Sequence, residues 1–419
     1  MSLDLGDPRL LLRADVLEDP RPFYDLLRSE APVWQIPGQD TFLVSDPSLI
    51  REAVRRTQDF SSNLVSILHD DGTGCPVAYA MARFGDPIHV LPTADPPLHA
   101  QHRRLLQAQL SPAAVAGLEL VVTRIITERL DAMLQSGRVD FVAAFSDPVP
   151  ALTICEVIGL APGDAPQIVT SVSALGALLD GVTYADGIGP AAHAAMDLMI
   201  YIQGQLNATL SRPTEERSGL LAVFAEGIES GTVLPDEARD MLLVLVSAGS
   251  DTTASLLASS VETLARDLEL QERLRGDPTL IPGAIEDILR YDGPFQFHYR
   301  ATPRDTMLGG IPIPANSRVL LMWAAANRPE LVEAADPTVT TTELSDGTDD
   351  RGPAPHFAFG KGLHFCIGAP VARLEARIAL EQLLARTTSI ALVPDQPPTL
   401  RPSIFIRRHA SLPIVVTPA

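Results

Sequence analysis

The stretch FAFGKGLHFCIG, residues 357–368, constrains the fold of this chain more than any other. It places Cys366 in a loop with two glycines before it and one two positions after it, and glycine lets a backbone turn tightly and approach a flat partner closely. The other two cysteines, Cys75 and Cys155, are far away in the sequence, which argues against a disulfide framework and a cysteine-rich zinc site. Cys366 is therefore a candidate ligand.

A helix is predicted directly after this loop, from the pattern VARLEARIALEQLLAR. The sulfur of Cys366 would then face the free N–H groups of a helix N-terminus, which stabilise an anion and lower the pKa of a thiol. A thiolate held in this way is suited to bind the iron of a haem.

Composition and charge exclude several classes of protein. The chain has 419 residues and a formal net charge of −20, so nucleic-acid binding is not expected, because phosphate binding needs a basic face. The apolar run MLLVLV, at the place most similar to a membrane segment, is far shorter than the roughly 18–20 residues that span a bilayer. The N-terminal segment carries charges throughout and does not resemble a signal peptide. We therefore expect a cytoplasmic protein without a membrane anchor.

Periodicity predicts a mainly α protein with minor β sheets, built as a single domain over residues 1–419. The α-rich parts cover about residues 98–291 and 369–387, and the β-rich parts cover about 30–60, 293–325 and the C-terminal strands. VWQI and TFLVS flank the turn signal PGQD, which predicts a hairpin. Residues 61–97 are rich in Gly, Pro and Asp and are predicted to form an irregular loop.

One long helix is predicted from Pro235 to Asp267, apolar on nearly all sides in its first half and therefore buried. About thirty residues at 1.5 Å each span about 45 Å, enough to cross a domain. Its middle holds Gly249, Asp251 and Thr252, although a mid-helix glycine costs about 1 kcal/mol against alanine and buried polar groups cost more. A purely structural helix has little reason to hold these residues.

The cysteine loop and the long helix together resemble the cytochrome P-450 family of the soluble bacterial type. The pattern that carries the resemblance is Phe359-Gly-x-Gly-x-His-x-Cys366-x-Gly, and the likeness extends from PFYDLL near the N-terminus to the last strands. It implies a long helix over haem b, with Cys366 as the axial ligand of the iron. It also implies monooxygenation with O2 and two electrons that come ultimately from NAD(P)H.

The resemblance also assigns residues around this cofactor. In the long helix, Gly249 would open room over the iron beside Ala248, Thr252 would hydrogen-bond bound dioxygen, and Asp251 would start a proton relay. Propionates carry negative charge, so a buried site should supply cations and hydrogen-bond donors. The remaining cofactor contacts implied are His99, Arg103, Arg300 and His356 at the propionates, and Phe359, Gly360 and Gly368 around the sulfur.

Glu286 and Arg290 are interpreted as the ExxR pair of the family, with a structural role. The family often adds an arginine shortly after an Asp-Pro pair, but here threonine and valine follow Pro337. Arg328 or Arg351 are the alternatives.

A small-to-medium hydrophobic substrate is expected, and a terpenoid, an aromatic and a steroid remain open. The implied substrate contacts are Val244, Ala248, Phe295, Phe297, Ile404 and Phe405. The chain has no flavin-binding or iron–sulfur motif, so a ferredoxin with its reductase is the expected donor. Candidates for its docking patch are Arg103, Arg104, Lys361, Arg373 and Arg377. A peroxide-driven peroxygenase and a non-catalytic haem-thiolate sensor remain as alternative functions.

Overall fold

The computed structural model describes residues 3–84, 88–183, 185–327 and 355–419. In chain order its α-helices are α1 (Ala14–Glu18), α2 (Arg21–Glu30), α3 (Pro47–Ala53), α4 (Leu98–Gln107), α5 (Pro112–Ala116), α6 (Glu119–Ser136), α7 (Pro148–Ile158), α8 (Ala165–Gly176), α9 (Ala185–Leu210), α10 (Gly219–Glu229), α11 (Pro235–Arg266), α12 (Leu268–Gly276), α13 (Ile281–Asp292), α14 (Trp323–Ala326) and α15 (Ala369–Arg386). The strands are β1 (Val33–Gln35), β2 (Thr41–Val44), β3 (Ser66–Asp70), β4 (Pro76–Ala80), β5 (Arg138–Asp140), β6 (His298–Ala301), β7 (Thr306–Leu308), β8 (Ile311–Ile313), β9 (Arg318–Leu321), β10 (Thr387–Leu392), β11 (Thr399–Leu400), β12 (His409–Ser411) and β13 (Pro413–Pro418). The predicted class, mainly α with small sheets, is confirmed.

The largest sheet of the described chain has the strand order β1-β2-β9-β6. Val33 pairs with Val44 in antiparallel β1 and β2, which confirms the predicted hairpin, whereas β2 and β9 run parallel. A second sheet has the order β10-β13-β5, and three two-stranded sheets pair β3 with β4, β7 with β8 and β11 with β12. Strand β6, at one edge of the first sheet, carries Arg300.

Helix α11 forms where its sequence places strong helix signals. Pro235 occupies the first turn, and the Glu237 carboxylate accepts a hydrogen bond from the Leu234 N–H at 3.0 Å, which satisfies a free donor of the N-terminus. Arg266 lies in the last turn, where a cation favours the helix dipole. The helix ends at Asp267, whose side chain caps α12.

The two ends of α11 pack into two different apolar clusters. Leu242 and Val246 belong to a cluster with residues of α7, α8 and α9, whereas Leu257 and Val261 belong to one with residues of α6, α13 and α15. The residues between these ends, 248–253, therefore lie where the two clusters meet. The polar middle of the helix is fixed in place by apolar packing on both sides.

Two parts of the chain differ from the sequence-based prediction. The segment predicted as an irregular loop contains the hairpin β3–β4, in which Ser66 pairs with Ala80. Strand β5 lies inside the part predicted to be α-rich, because it pairs with β13 at the far end of the chain. A three-residue strand with a distant partner leaves no periodic signal in its own sequence.

One helix of the described chain, α11, is long and apolar enough to cross a membrane. Of its most apolar window, 67% is buried inside the protein, as in the core helix of a folded domain.

Candidate active site

The shape of the cysteine loop is fixed by backbone hydrogen bonds within the loop. Gly360 N–H donates to the carbonyl of Phe357 at 2.7 Å, and Cys366 N–H donates to the carbonyl of Phe359 at 2.9 Å. Gly360 and Gly362 have φ of 70° and 74°, a region that side chains with a Cβ disfavour. The glycines therefore allow the two turns that present Cys366.

Opposing effects act on the Cys366 sulfur. Burial is the largest and raises the pKa of the thiol, whereas the backbone N–H groups of Gly368 and Ala369 and the charges of Arg103 and Arg373 lower it. The backbone N–H groups at the start of α15 lower the pKa of the thiol, as predicted, although burial outweighs them in the chain alone.

Cys366 lines a mainly apolar cavity that is open to solvent, with about 1610 Å³ of empty space between its walls, part of it outside solvent. Its walls include Leu91 before α4, Ile154 of α7, Val244 and Thr252 of α11. A cavity of this size beside one thiol has room for a large flat ligand and for a second molecule.

Basic and imidazole side chains cluster on one part of this cavity wall. His99 and Arg103 come from α4, Arg300 from β6 and His364 from the cysteine loop. The rings of His99 and His364 are 4.1 Å apart, and burial lowers the pKa of both and brings that of His364 to about 3. Burial also lowers the pKa of Arg300 to about 10. Within the described residues, His364 Nδ1 is buried without a hydrogen-bond partner, so the cluster has capacity for an anion.

His356, predicted to be one of these anion contacts, lies elsewhere. Its Nδ1 accepts a hydrogen bond from the Ala358 N–H at 3.1 Å, so Nε2 carries the proton and donates to Glu286 Oε2 at 3.0 Å. His364, which does line the cavity, was missed although it stands inside the FGKGLHFC motif. The motif itself was the signal that could have identified it.

The middle of α11 presents small and polar residues to the cavity. Ala248, Gly249 and Thr252 line it, and the Thr252 hydroxyl donates to the Ala248 carbonyl at 2.7 Å. That bond leaves the lone pairs of the hydroxyl oxygen available to a ligand. A Cβ on Gly249 would lie 2.8 Å from the Ile154 side chain, so this glycine also lets α7 approach α11 closely.

Asp251 is on the same turn but does not line the cavity. Its buried carboxylate pairs with the guanidinium of Arg408, which also donates to Asp147 at 2.6 Å. Arg408 and Asp147 are distant in sequence from Asp251, and no sequence pattern pointed to them. The arginine holds two carboxylates, one of them at the predicted start of the proton relay.

The predicted substrate contacts divide into two layers. Val244 and Phe295 line the cavity with Ala248, whereas Phe297, Ile404 and Phe405 do not. The ring of Phe405 packs 5.1 Å from that of Phe295 and 5.3 Å from that of Phe297. Phe405 therefore supports the cavity wall through its contact with Phe295, and Phe297 packs against Phe405 in the layer behind.

The comparisons with known proteins agree with this geometry. Residues 191–408 match the family model for cytochrome P-450. Cytochrome P-450 144 of Mycobacterium tuberculosis is 35% identical over 98% of this chain and 92% of its own length. The chain is a cytochrome P-450.

Solved members of this family share the fold. The ligand-free structure of CYP164A2 from Mycobacterium smegmatis is 26% identical, covers 99% of this chain and 100% of its own, and has a TM-score of 0.83. CYP109E1 from Bacillus megaterium, solved with testosterone, is 25% identical, covers 96% of this chain and 98% of its own, and has a TM-score of 0.81. As a member of the family, the chain is a haem-thiolate monooxygenase.

The residues of the cavity fit a haem. The thiol of Cys366 faces the space that the macrocycle would fill, and the free Nδ1 of His364 with the buried Arg300 suits two propionates. Apolar side chains form most of the remaining wall, as a porphyrin requires. The site therefore matches the cofactor of the family.

The predicted Glu286–Arg290 pair of this P-450 is wrong. Arg290 pairs with Asp287, three positions earlier, at 3.2 Å in the core, so an aspartate stands in the ExxR position. Glu286 instead accepts two hydrogen bonds from Arg373 of α15, at 2.6 and 2.7 Å. The mistake came from counting a spacing of four where the motif has three. The segment in which the further arginine of the family is missing lies outside the described residues. The alternatives Arg328 and Arg351 lie outside them as well.

Glu286 should stabilise the cysteine loop measurably. Arg373 and His356 lower the pKa of Glu286 to about 2, although burial acts against them. We expect Glu286→Gln to lower the free energy of unfolding by about 1–3 kcal/mol, because Arg373 and His356 lose a charged partner and one of its two acceptor oxygens. A carboxyl with a lowered pKa contributes stability above its ordinary pKa, and this is lost as pH falls. The difference should therefore be full at neutral pH and shrink from about pH 5 towards pH 2.

Urea unfolding of the haem-loaded protein at several pH values measures this difference. Glu381→Gln is the matched control, because Glu381 also pairs with an arginine of α15, Arg377, but is more exposed than Glu286. That variant should lose less than about 1 kcal/mol. Equal stabilities of the Glu286 and Glu381 variants would contradict the role of Glu286.

Proposed function

We propose that this chain is a cytoplasmic, single-domain haem b monooxygenase that hydroxylates a small-to-medium hydrophobic molecule with O2 and two electrons from a ferredoxin. The observation that carries the proposal is that the Cys366 thiol and the Thr252 hydroxyl line the same apolar cavity. Per turnover, RH, O2, two electrons and two protons give ROH and water.

In this proposal Cys366 binds the iron, with Phe359, Gly360 and Gly368 shaping the loop around the sulfur. The bound haem supplies the oxygen chemistry, in which a thiolate ligand favours cleavage of the O–O bond. His99, Arg103, Arg300 and His364 hold the propionates, and His364 takes the place first assigned to His356.

Helix α11 moves protons in this scheme. The Thr252 hydroxyl accepts a hydrogen bond through its oxygen while it donates its own to the Ala248 carbonyl, which orients the oxygen towards the cavity. Asp251 brings protons from the outer side of the helix, after its carboxylate leaves Arg408. The apolar wall excludes water from the reacting positions, which limits unproductive proton transfer.

The substrate is hydrophobic because the wall that it meets is apolar. Val244, Ala248 and Phe295 supply its contacts in our proposal. One structural neighbour was solved with testosterone and another, P-450 EryK, with erythromycin B, two bulky molecules of different chemistry. The fold therefore admits several substrate classes.

Electrons enter at the face of the cysteine loop. Arg373 and Arg377 are engaged by acidic side chains, so they are weaker candidates for docking than first assumed. Arg104 and Lys361 are exposed, and neither has an ion pair within the described residues. Leu363 and Phe365 lie in the same loop with 51% and 42% exposure, which suits the apolar centre of a transient interface with an acidic ferredoxin.

Reversing either charge should slow reduction by ferredoxin. We expect Arg104→Glu and Lys361→Glu to lower the apparent second-order rate by about 10-fold at low salt and to flatten its dependence on ionic strength. Stopped-flow reduction under carbon monoxide measures the rate. Arg138→Glu, at the exposed start of strand β5 in another sheet, is the control and should leave the rate unchanged. Unchanged rates in the first two variants would remove them from the docking site.

The test of the function is turnover with isotopically labelled dioxygen. The haem-loaded protein, with a ferredoxin, its reductase and NADPH, should put one atom of labelled oxygen into a hydrophobic test compound that shifts the ferric Soret band. Product with peroxide but none with ferredoxin would indicate a peroxygenase. Compound binding without any product from a broad panel would indicate a sensor.

A further inference from the structure

A histidine that the proposed scheme does not use, His298, lines the cavity. It lies on β6, where His298 and Arg300 line the cavity and Tyr299 between them does not, as the alternating faces of a strand require. The ring of His298 packs 4.5 Å from that of Phe295, one of the proposed substrate contacts. His298 therefore adjoins the part of the wall that is assigned to the substrate.

The indole of Trp323 fixes which nitrogen of His298 carries the proton. Trp323 Nε1 donates a hydrogen bond to His298 Nδ1 at 2.6 Å, and an indole N–H can only donate. Nδ1 is therefore unprotonated, so the proton of the neutral ring is on Nε2. Burial lowers the pKa of His298 to about 3, and Arg300 acts in the same direction, which keeps the ring neutral.

Nε2 of His298 is left for a ligand. Within the described residues it has no hydrogen-bond partner, although the residue is on the cavity wall. Trp323 is buried and its ring stacks on that of Phe357, with 6.0 Å between the centroids and 14° between the planes, so the indole donor is held rigidly. Accepting from this indole is a structural role that uses only Nδ1. The N–H on Nε2 has a fixed direction, and its acceptor must come from the contents of the cavity.

The acceptor that suits this donor is a neutral oxygen of the substrate. The propionates have their own set of candidates, one for each oxygen, in His99, Arg103, Arg300 and His364. His298 is uncharged and packs on Phe295, whereas a carboxylate is bound more strongly by a charged group such as Arg300. A ketone or ester carbonyl accepts a hydrogen bond without bringing charge into an apolar wall.

We propose that the Nε2–H of His298 anchors the substrate, and that the substrate is a hydrophobic molecule with a neutral carbonyl oxygen. The inference rests on the proposed function and narrows its substrate class. A few placed polar groups fix the orientation of a ligand in a mainly apolar cavity, and a directional bond to one oxygen does so here. His298 is then a specificity-determining residue, at which no bond is made or broken.

Spectral titration of the ferric, haem-loaded protein with matched probe pairs tests the anchor. The pairs are adamantanone with adamantane and cyclododecanone with cyclododecane, and the measured quantity is the affinity for the ketone divided by that for its hydrocarbon. We expect this ratio to fall by about 10-fold in His298→Phe, because one hydrogen bond is lost and the shape is nearly kept. His193→Phe, at an exposed position of α9 outside the cavity wall, is the matched control and should keep the ratio. An unchanged ratio in His298→Phe, or no binding of either ketone to the wild type, would overturn the proposal.

Trp323→Phe provides a second measurement that leaves His298 in place. Without the indole donor the proton can occupy either nitrogen, so the ketone ratio should fall by a smaller factor than in His298→Phe. NMR of histidines labelled with heavy nitrogen, in the reduced carbon monoxide complex, reports the tautomer directly. The signal that is missing in His298→Phe should show a protonated Nε2 and an unprotonated Nδ1 in the wild type. The opposite tautomer would overturn the proposal.

Haem retention distinguishes the substrate from a propionate as the acceptor. Transfer of haem to apomyoglobin should be faster from His364→Phe than from the wild type, whereas His298→Phe should transfer haem at the wild-type rate. Loss of haem from His298→Phe as fast as from His364→Phe would place Nε2 on a propionate and would overturn the assignment to substrate.

Turnover then tests the positioning of the ketone. With ferredoxin, its reductase, NADPH and cyclododecanone, the wild type should form one major hydroxylated product and His298→Phe a mixture. Equal product ratios in the two proteins would overturn the positioning role. Absence of product from every protein would contradict the proposed function instead, while the ketone ratio in binding would still report on His298.

Discussion

Cys366→Ser should abolish the thiolate-type Soret band of the reduced protein under carbon monoxide, together with all monooxygenase activity. The physical reason is that sulfur is the strongly donating ligand, and a serine hydroxyl in the same loop cannot replace it. The loop itself should survive, because the hydrogen bonds of Phe357 and Phe359 that shape it come from the backbone. Haem content and the absorption spectrum of the reduced complex measure the effect.

Cys75→Ser is the matched control, since this cysteine lies outside the cavity wall in the turn before β4. It should keep both the band and the activity. A histidine-like band in the wild type as well as in Cys366→Ser would mean that another residue binds the iron.

Asp251→Asn should lower turnover by about 10² to 10⁴-fold while leaving substrate binding unchanged. An amide occupies the same space but cannot give or accept a proton as a carboxyl does. Arg408 would still be neutralised by Asp147, so the helix should stay in place. Product formation, NADPH consumption and the solvent isotope effect on turnover measure the result, and the isotope effect should increase.

Asp147→Asn separates proton transfer from simple charge balance. Asp147 binds the same arginine but stands before α7 and does not line the cavity. If the relay is correct, this variant should keep most of the activity. An equal loss in both variants would mean that the buried Asp–Arg–Asp cluster acts only by holding α11.

Much of the site could be read from the sequence because local patterns carry it. The glycines around Cys366 require special backbone conformations, and Gly360 and Gly362 do have positive φ. The long helix was predicted from the length of its apolar pattern and from Pro235 at its start. Those signals are contained within about ten to thirty neighbouring residues, so no knowledge of distant contacts was needed.

The errors arose where a partner lies far away in the chain. In the sequence alone, His356 and His364 are equally plausible contacts of the propionates. Only His364 lines the cavity, because His356 is bound to Glu286 on α13. Arg290 was paired with Glu286, whereas packing pairs it with Asp287. Strand β5 was missed for the same reason, because its partner is the last strand.

The sequence by itself determined the family, the cysteine loop and the long helix that carries Thr252, because each depends on residue type and local spacing. Only the tertiary structure decided the surroundings of the buried acids. Asp251 is paired because Arg408 of the C-terminal segment reaches it, and burial on α15 raises the pKa of Glu375 to about 8. The pKa of a buried group depends on desolvation and on charges brought together by folding. Neither can be predicted from the residues next to it in the sequence.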